Sequence, residues 1–98
     1  MREYLQVWRA QVPDDKVERL LEVRPAAIAE AKQLCPELLS AELVRLEDGS
    51  WLDVLRWSEP DGEERLMKHQ DRFEAVLVMH ALLDEPVQLG RGAVVMTS

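Results

Sequence analysis

Residues alternate in direction from Tyr4 to Val12, with Tyr4, Gln6, Trp8 and Ala10 on one side and Leu5 and Val7 on the other, the period of two of a β-strand. Val12-Pro13-Asp14-Asp15-Lys16 ends that period. Asp15 followed three residues later by Glu18 has capping-box spacing, which predicts a helix start there. Val17, Leu20, Leu21, Ala27, Ile28, Ala31 and Leu34 recur at intervals of three and four, marking one side of a helix about 20 residues long that ends at Cys35-Pro36. Pro25 lies within it and, lacking an N–H and crowding Arg24, predicts a kink or break between Leu21 and Pro25. Two strands follow, Leu38 to Leu46 and Ser50 to Ser58, joined by Glu47-Asp48-Gly49, whose Asp-Gly pair favours a hairpin. In the second of them Trp51, Asp53, Leu55 and Trp57 share one face and Leu52, Val54 and Arg56 the other. After the loop Ser58–Gly62, the stretch Glu63 to Leu83 carries Leu66, Phe73, Val76, Leu77, His80 and Leu83 on a helical stripe, with Asp71 as a point of division. Glu85-Pro86 stops it, and Val87 to Met96 is predicted as a last strand in which Gly90 and Gly92 permit a bulge.

The order β-α-β-β-α-β is the split βαβ pattern of a ferredoxin-like α+β sandwich, a single domain over residues 1–98. Helices then cover one sheet face, yet either parity of these strands is apolar, and exposing it would cost about 25 cal/mol per Å². A second copy across a two-fold axis covers it, so a homodimer is expected. Composition narrows the partners. Nineteen acidic against twelve basic side chains give a formal charge of -7, which disfavours nucleic acid. No leader or apolar run long enough to span a bilayer is apparent, and membrane association is not expected. The lone Cys35 closes no internal disulfide, which points to the cytoplasm, and with two histidines it falls short of a zinc set.

The run Cys35-Pro36-Glu37-Leu38-Leu39-Ser40-Ala41-Glu42-Leu43, the run Asp48-Gly49-Ser50-Trp51-Leu52-Asp53-Val54-Leu55-Arg56-Trp57, and His69 followed by Phe73 resemble the antibiotic biosynthesis monooxygenase family of dimeric α/β barrels. The resemblance covers nearly the whole chain. In members that oxygenate polyketide anthrones without metal or flavin, it implies a pocket lined from the third strand by an asparagine and a tryptophan four residues apart. Those positions fall on Asp53 and Trp57. The tryptophan is kept, whereas the amide is replaced by a carboxylate in a chain that has no asparagine. The implied activity is an oxidoreductase, a cofactor-independent monooxygenase of an anthrone or quinol. A non-catalytic dimeric binding or accessory module, or a related isomerase or cyclase, stays open beside it.

Asp53 lies between aromatic rings, where desolvation disfavours its charged form and suits it to general-base chemistry; a structural ion pair with Arg56, Arg72 or Arg91 is the alternative. His69 is the other candidate base, or else an exposed helical histidine. Trp57, Trp51, Arg56 and Phe73 are candidate contacts for a small hydrophobic aromatic ligand, the rings by stacking and the arginine by holding an oxyanion, with core packing and an exposed ion pair as their ordinary roles. His80, on the apolar stripe, is either a buried neutral imidazole or a ligand, and Cys35 is expected to pack.

Overall fold

A computed structural model of the chain describes residues 2–98. In chain order it contains β1 (Tyr4–Gln11), α1 (Val17–Leu34), β2 (Leu38–Arg45), β3 (Trp51–Trp57), α2 (Gly62–Met67), α3 (Ala75–His80) and β4 (Asp84–Ala93), with 3-10 turns at Asp14–Lys16 and Gln70–Arg72. The strands form one antiparallel sheet in the order β2-β3-β1-β4, the ferredoxin-like α+β topology. Trp8 pairs with Asp53 and Val7 with Val54 across the two central strands. That register puts Gln6, Trp8, Ala10, Trp51, Asp53, Leu55 and Trp57 on one face, under the helices, and Leu5, Val7, Leu52 and Val54 on the other. Leu20, Ala27 and Ala31 of α1 form the core with Trp51, Trp57, Phe73, Val76 and Met79.

Three local expectations are corrected. The capping-box bond is not made: Lys16 N–H donates to the Pro13 carbonyl at 2.8 Å, closing a 3-10 turn, and α1 begins at Val17 without a side-chain cap. α1 runs unbroken through Pro25; Leu21 and Pro25 are both exposed, so water can serve the Leu21 carbonyl that the missing N–H leaves free. The stretch from Glu63 to Leu83 divides at Asp71 as expected, into two short helices around a 3-10 turn, where Phe73 goes extended (φ -75°, ψ 120°) to bury its ring. The last strand is Asp84–Ala93 instead of Val87–Met96, since its partner β1 runs only from Tyr4, opposite Ala93, to Gln11, opposite Asp84.

The hairpin forms as predicted. Gly49 takes φ 89°, donates its N–H to the Leu46 carbonyl at 2.9 Å, and the Asp48 carboxylate accepts the Ser50 N–H at 2.9 Å. β4 is an exposed edge strand that tolerates Pro86, and its register shift leaves Leu89 as the extra residue of a bulge beside Gly90.

Candidate active site

Between the covered sheet face and α1 and α3 lies a cavity of about 340 Å³, within the lower range of small-molecule sites. Alternation along β3 supplies its floor, Trp51, Asp53, Leu55 and Trp57; α1 contributes Arg24, and the chain beyond β3 contributes Phe73, Met79 and His80. Asp53 is not free among the rings. Arg24 reaches it from α1, with Nη2 donating to Oδ1 at 2.8 Å and Nη1 to Oδ2 at 3.0 Å, a bidentate pair whose side chains are 11% and 18% exposed. The arginines named from sequence stand elsewhere. Arg56 holds Glu3 at 2.8 Å, Arg91 holds Glu64 at 2.7 Å, and Arg72 is exposed in the 3-10 turn. Arg24, noted only as the residue before Pro25, was not among the candidate site residues, although Leu20, Arg24, Ala27 and Ala31 lie at helical spacing and a charge inside that buried stripe was a readable signal.

Trp57 is locked from below. Its Nε1–H donates to Gln6 Oε1 at 3.1 Å, while Gln6 Nε2 donates to Gln88 Oε1 at 2.8 Å and to the Glu63 carboxylate. Gln6 is 1% exposed, so these bonds satisfy an amide that would otherwise be expensive to bury. Gly62 lies against the same indole, and a Cβ there would overlap the ring. Trp51 is buried with the Arg45 guanidinium 5.2 Å above its ring centroid, and its Nε1–H has no acceptor among the described residues.

No family model and no curated protein sequence matches the chain. Solved structures do. A mutant of SnoaB, a cofactor-independent oxygenase from Streptomyces nogalater, aligns with a TM-score of 0.73 at 20% identity, covering 97% of this chain and 95% of that one. A Caulobacter crescentus protein provisionally named an antibiotic biosynthesis monooxygenase aligns at 0.63 with 16% identity over 98% and 91% of the two chains. A dimeric ferredoxin-like protein of unknown function from Thermobifida fusca aligns at 0.66 with 15% identity over 95% and 92%. The chain has the ferredoxin-like fold that these structures share.

Within this ferredoxin-like fold the candidate residues divide. Asp53, Trp57, Trp51 and Phe73 line the one cavity. Arg56 does not, because strand alternation turns it to the opposite face. His69 does not line it either: the residue belongs to the turn after α2, its N–H donating to the Leu66 carbonyl at 2.9 Å and its carbonyl accepting from Arg72 N–H at 2.8 Å. The histidine of the cavity is His80. Though the residue is exposed overall, burial of its imidazole pushes the pKa below the ordinary value, with the Asp53 charge opposing, which favours the neutral ring. The Cys35 thiol, buried and bonded to Glu37 Oε2 at 2.9 Å, is pushed up to about 11, first by burial and then by that carboxylate. It is no nucleophile at neutral pH. Among the described residues no cluster of His, Cys, Asp and Glu is placed to hold a metal ion, and no helix is long and apolar enough to cross a membrane.

Proposed function

We propose that this protein is a cofactor-independent monooxygenase of an enolisable polycyclic aromatic, of the anthrone or quinol type. The observation that carries the reading is a carboxylate, Asp53, in the wall of an otherwise largely apolar cavity of ligand size. Trp57, Trp51 and Phe73 pack the flat rings and Asp53 takes the acidic proton. The resulting delocalised anion is electron-rich enough to reduce dioxygen itself, so for an anthrone the ring CH₂ and O₂ become a ring C=O and water. A ligand-binding module without turnover is the second reading, favoured by the engagement of both Asp53 oxygens with Arg24. An oxygen electrode separates them: after dialysis against chelator, the protein should consume oxygen with dithranol well above the buffer rate, and Asp53→Ala should lose the excess. Binding without uptake would leave the module.

The working unit in this reading is a homodimer. Leu5, Val7, Leu52 and Val54 form the centre of the uncovered sheet face, and Val44 and Val87 extend it, 39% and 55% exposed. A second copy laid on this face buries what the helices leave bare, as befits a fold whose solved examples include a dimeric protein. A single buried thiol fits a cytoplasmic setting.

A further inference from the structure

We propose that Arg24 leaves Asp53 during the reaction cycle to hold the oxygen anion of the ligand, so that the site selects neutral phenols or enols over ligands that arrive already charged. The inference rests on reading the cavity as a ligand site and goes beyond it to the group the site recognises.

Charge conservation in a poorly solvated space is the reason. Arg24 is the only arginine or lysine lining the cavity among the described residues, and the Asp53 carboxylate compensates it in full at 2.8 and 3.0 Å. Both side chains are largely withdrawn from water, at 11% and 18% exposure. A carboxylate ligand entering here would add a net negative charge with no free cation to meet it, and burying an uncompensated charge is costly. A neutral hydroxyl avoids that penalty. Its O–H bond breaks, the proton forms an O–H bond on Asp53, and the electron pair stays on the ligand oxygen. The protonated Asp53 no longer needs the guanidinium, which turns its Nη donors to the new anion. The Arg24–ligand pair carries the same one positive and one negative charge as the Arg24–Asp53 pair it replaces, the Glu63 carboxylate that also lines the cavity stays with Gln6, and no other reactant is needed. The fork suits the exchange, since a guanidinium grips a second oxygen centre with the same two donors. Met79 Sδ, 3.9 Å from Arg24 Nη1, is a weak and pliable acceptor that does not hold the group in place.

The probe is alizarin, a flat phenol whose absorption moves to longer wavelength when it ionises and which, being already a quinone, needs no turnover. Mixed with the wild-type protein at a pH where the free dye is neutral, it should take on the phenolate spectrum. With Arg24→Met the bound dye should remain neutral and affinity should fall by about tenfold or more. With Asp53→Asn, which leaves an uncompensated cation, an anthraquinone carboxylate, bound weakly by wild type, should gain about tenfold. A wild-type complex containing only neutral dye, an unchanged phenolate spectrum in Arg24→Met, or equal wild-type affinity for the carboxylate and alizarin would each overturn the proposal. These outcomes are independent of oxygen. Dithranol oxidation with neutral bound alizarin removes this inference and spares the oxygenase reading, whereas ionised alizarin without dithranol oxidation does the reverse.

Discussion

Asp53→Leu strands the Arg24 guanidinium, 11% exposed, against the core side of α1. Removing one partner of a buried pair costs about 3–5 kcal/mol, and the 18% exposure of Asp53 together with the adjoining cavity places this pair at the lower end, about 3 kcal/mol. In a domain of this size about 1 kcal/mol moves Tm by roughly 4–8 °C, so the variant should melt about 12–24 °C lower. Arg24→Met should cost a similar amount by leaving the carboxylate unpaired. The double variant removes both charges and fills the gap with carbon, and should return to within about 1 kcal/mol of wild type. Urea unfolding followed by circular dichroism, with the slope checked for constancy, measures all three. A coupling of about 5 kcal/mol is expected. Single variants within about 0.5 kcal/mol of wild type, adding independently, would refute a buried, mutually dependent pair.

Glu30 accepts the N–H groups of Glu74, Ala75 and Val76 at 3.0 to 3.1 Å, and these bonds, led by that from Val76, hold its carboxyl below the ordinary range. Its contribution is therefore present above the unfolded-state pKa and lost as pH falls through the folded one; Glu30→Ala should cost about 1 kcal/mol at pH 7 and flatten the acid limb of a stability profile. Gly62→Ala forces a methyl into the Trp57 ring and should destabilise by about 1–3 kcal/mol while shifting tryptophan emission, and an unshifted, fully stable variant counts against that contact. Native Cys35, with its pKa pushed to about 11, should be about one part in a thousand thiolate at pH 8 and should react with a thiol reagent only after unfolding; prompt labelling of the folded protein contradicts the packing described. Val54→Asp, at the centre of the uncovered sheet face, should halve the mass of the proposed dimer seen by light scattering; an unchanged mass counts against a subunit contact on this face.

Elements whose cause is local were legible in the chain. Asp48-Gly49 specifies its own turn, and the period of two along β3 placed Asp53 and Trp57 on one face before any partner was known. Elements whose cause is distant were not. α3 starts where Glu30, from another helix, takes up its first N–H groups, which no pattern within residues 63–83 could reveal. The end of β4 is set by β1 across the sheet. At the site, a helical stripe does not report which strand residue lies opposite, so Arg24 and Asp53 remained separate observations until the fold brought them to 2.8 Å. Gln6 is the same case: a polar residue on the covered parity of β1, explained only by Trp57, Gln88 and Glu63. His80 and His69 exchanged places for a further reason, since the division near Asp71 turns the second half of the stretch back toward the sheet and leaves His69 in the turn.

Oxygenation at Asp53 is tested most directly by supplying dithranol with isotopically heavy dioxygen in ordinary water and weighing the product. The account predicts that protein-dependent product carries one heavy atom in its new carbonyl, and that Asp53→Asn reduces its formation to the rate in buffer. A product whose new oxygen comes from water, or equal formation with Asp53→Asn and wild type, would contradict it.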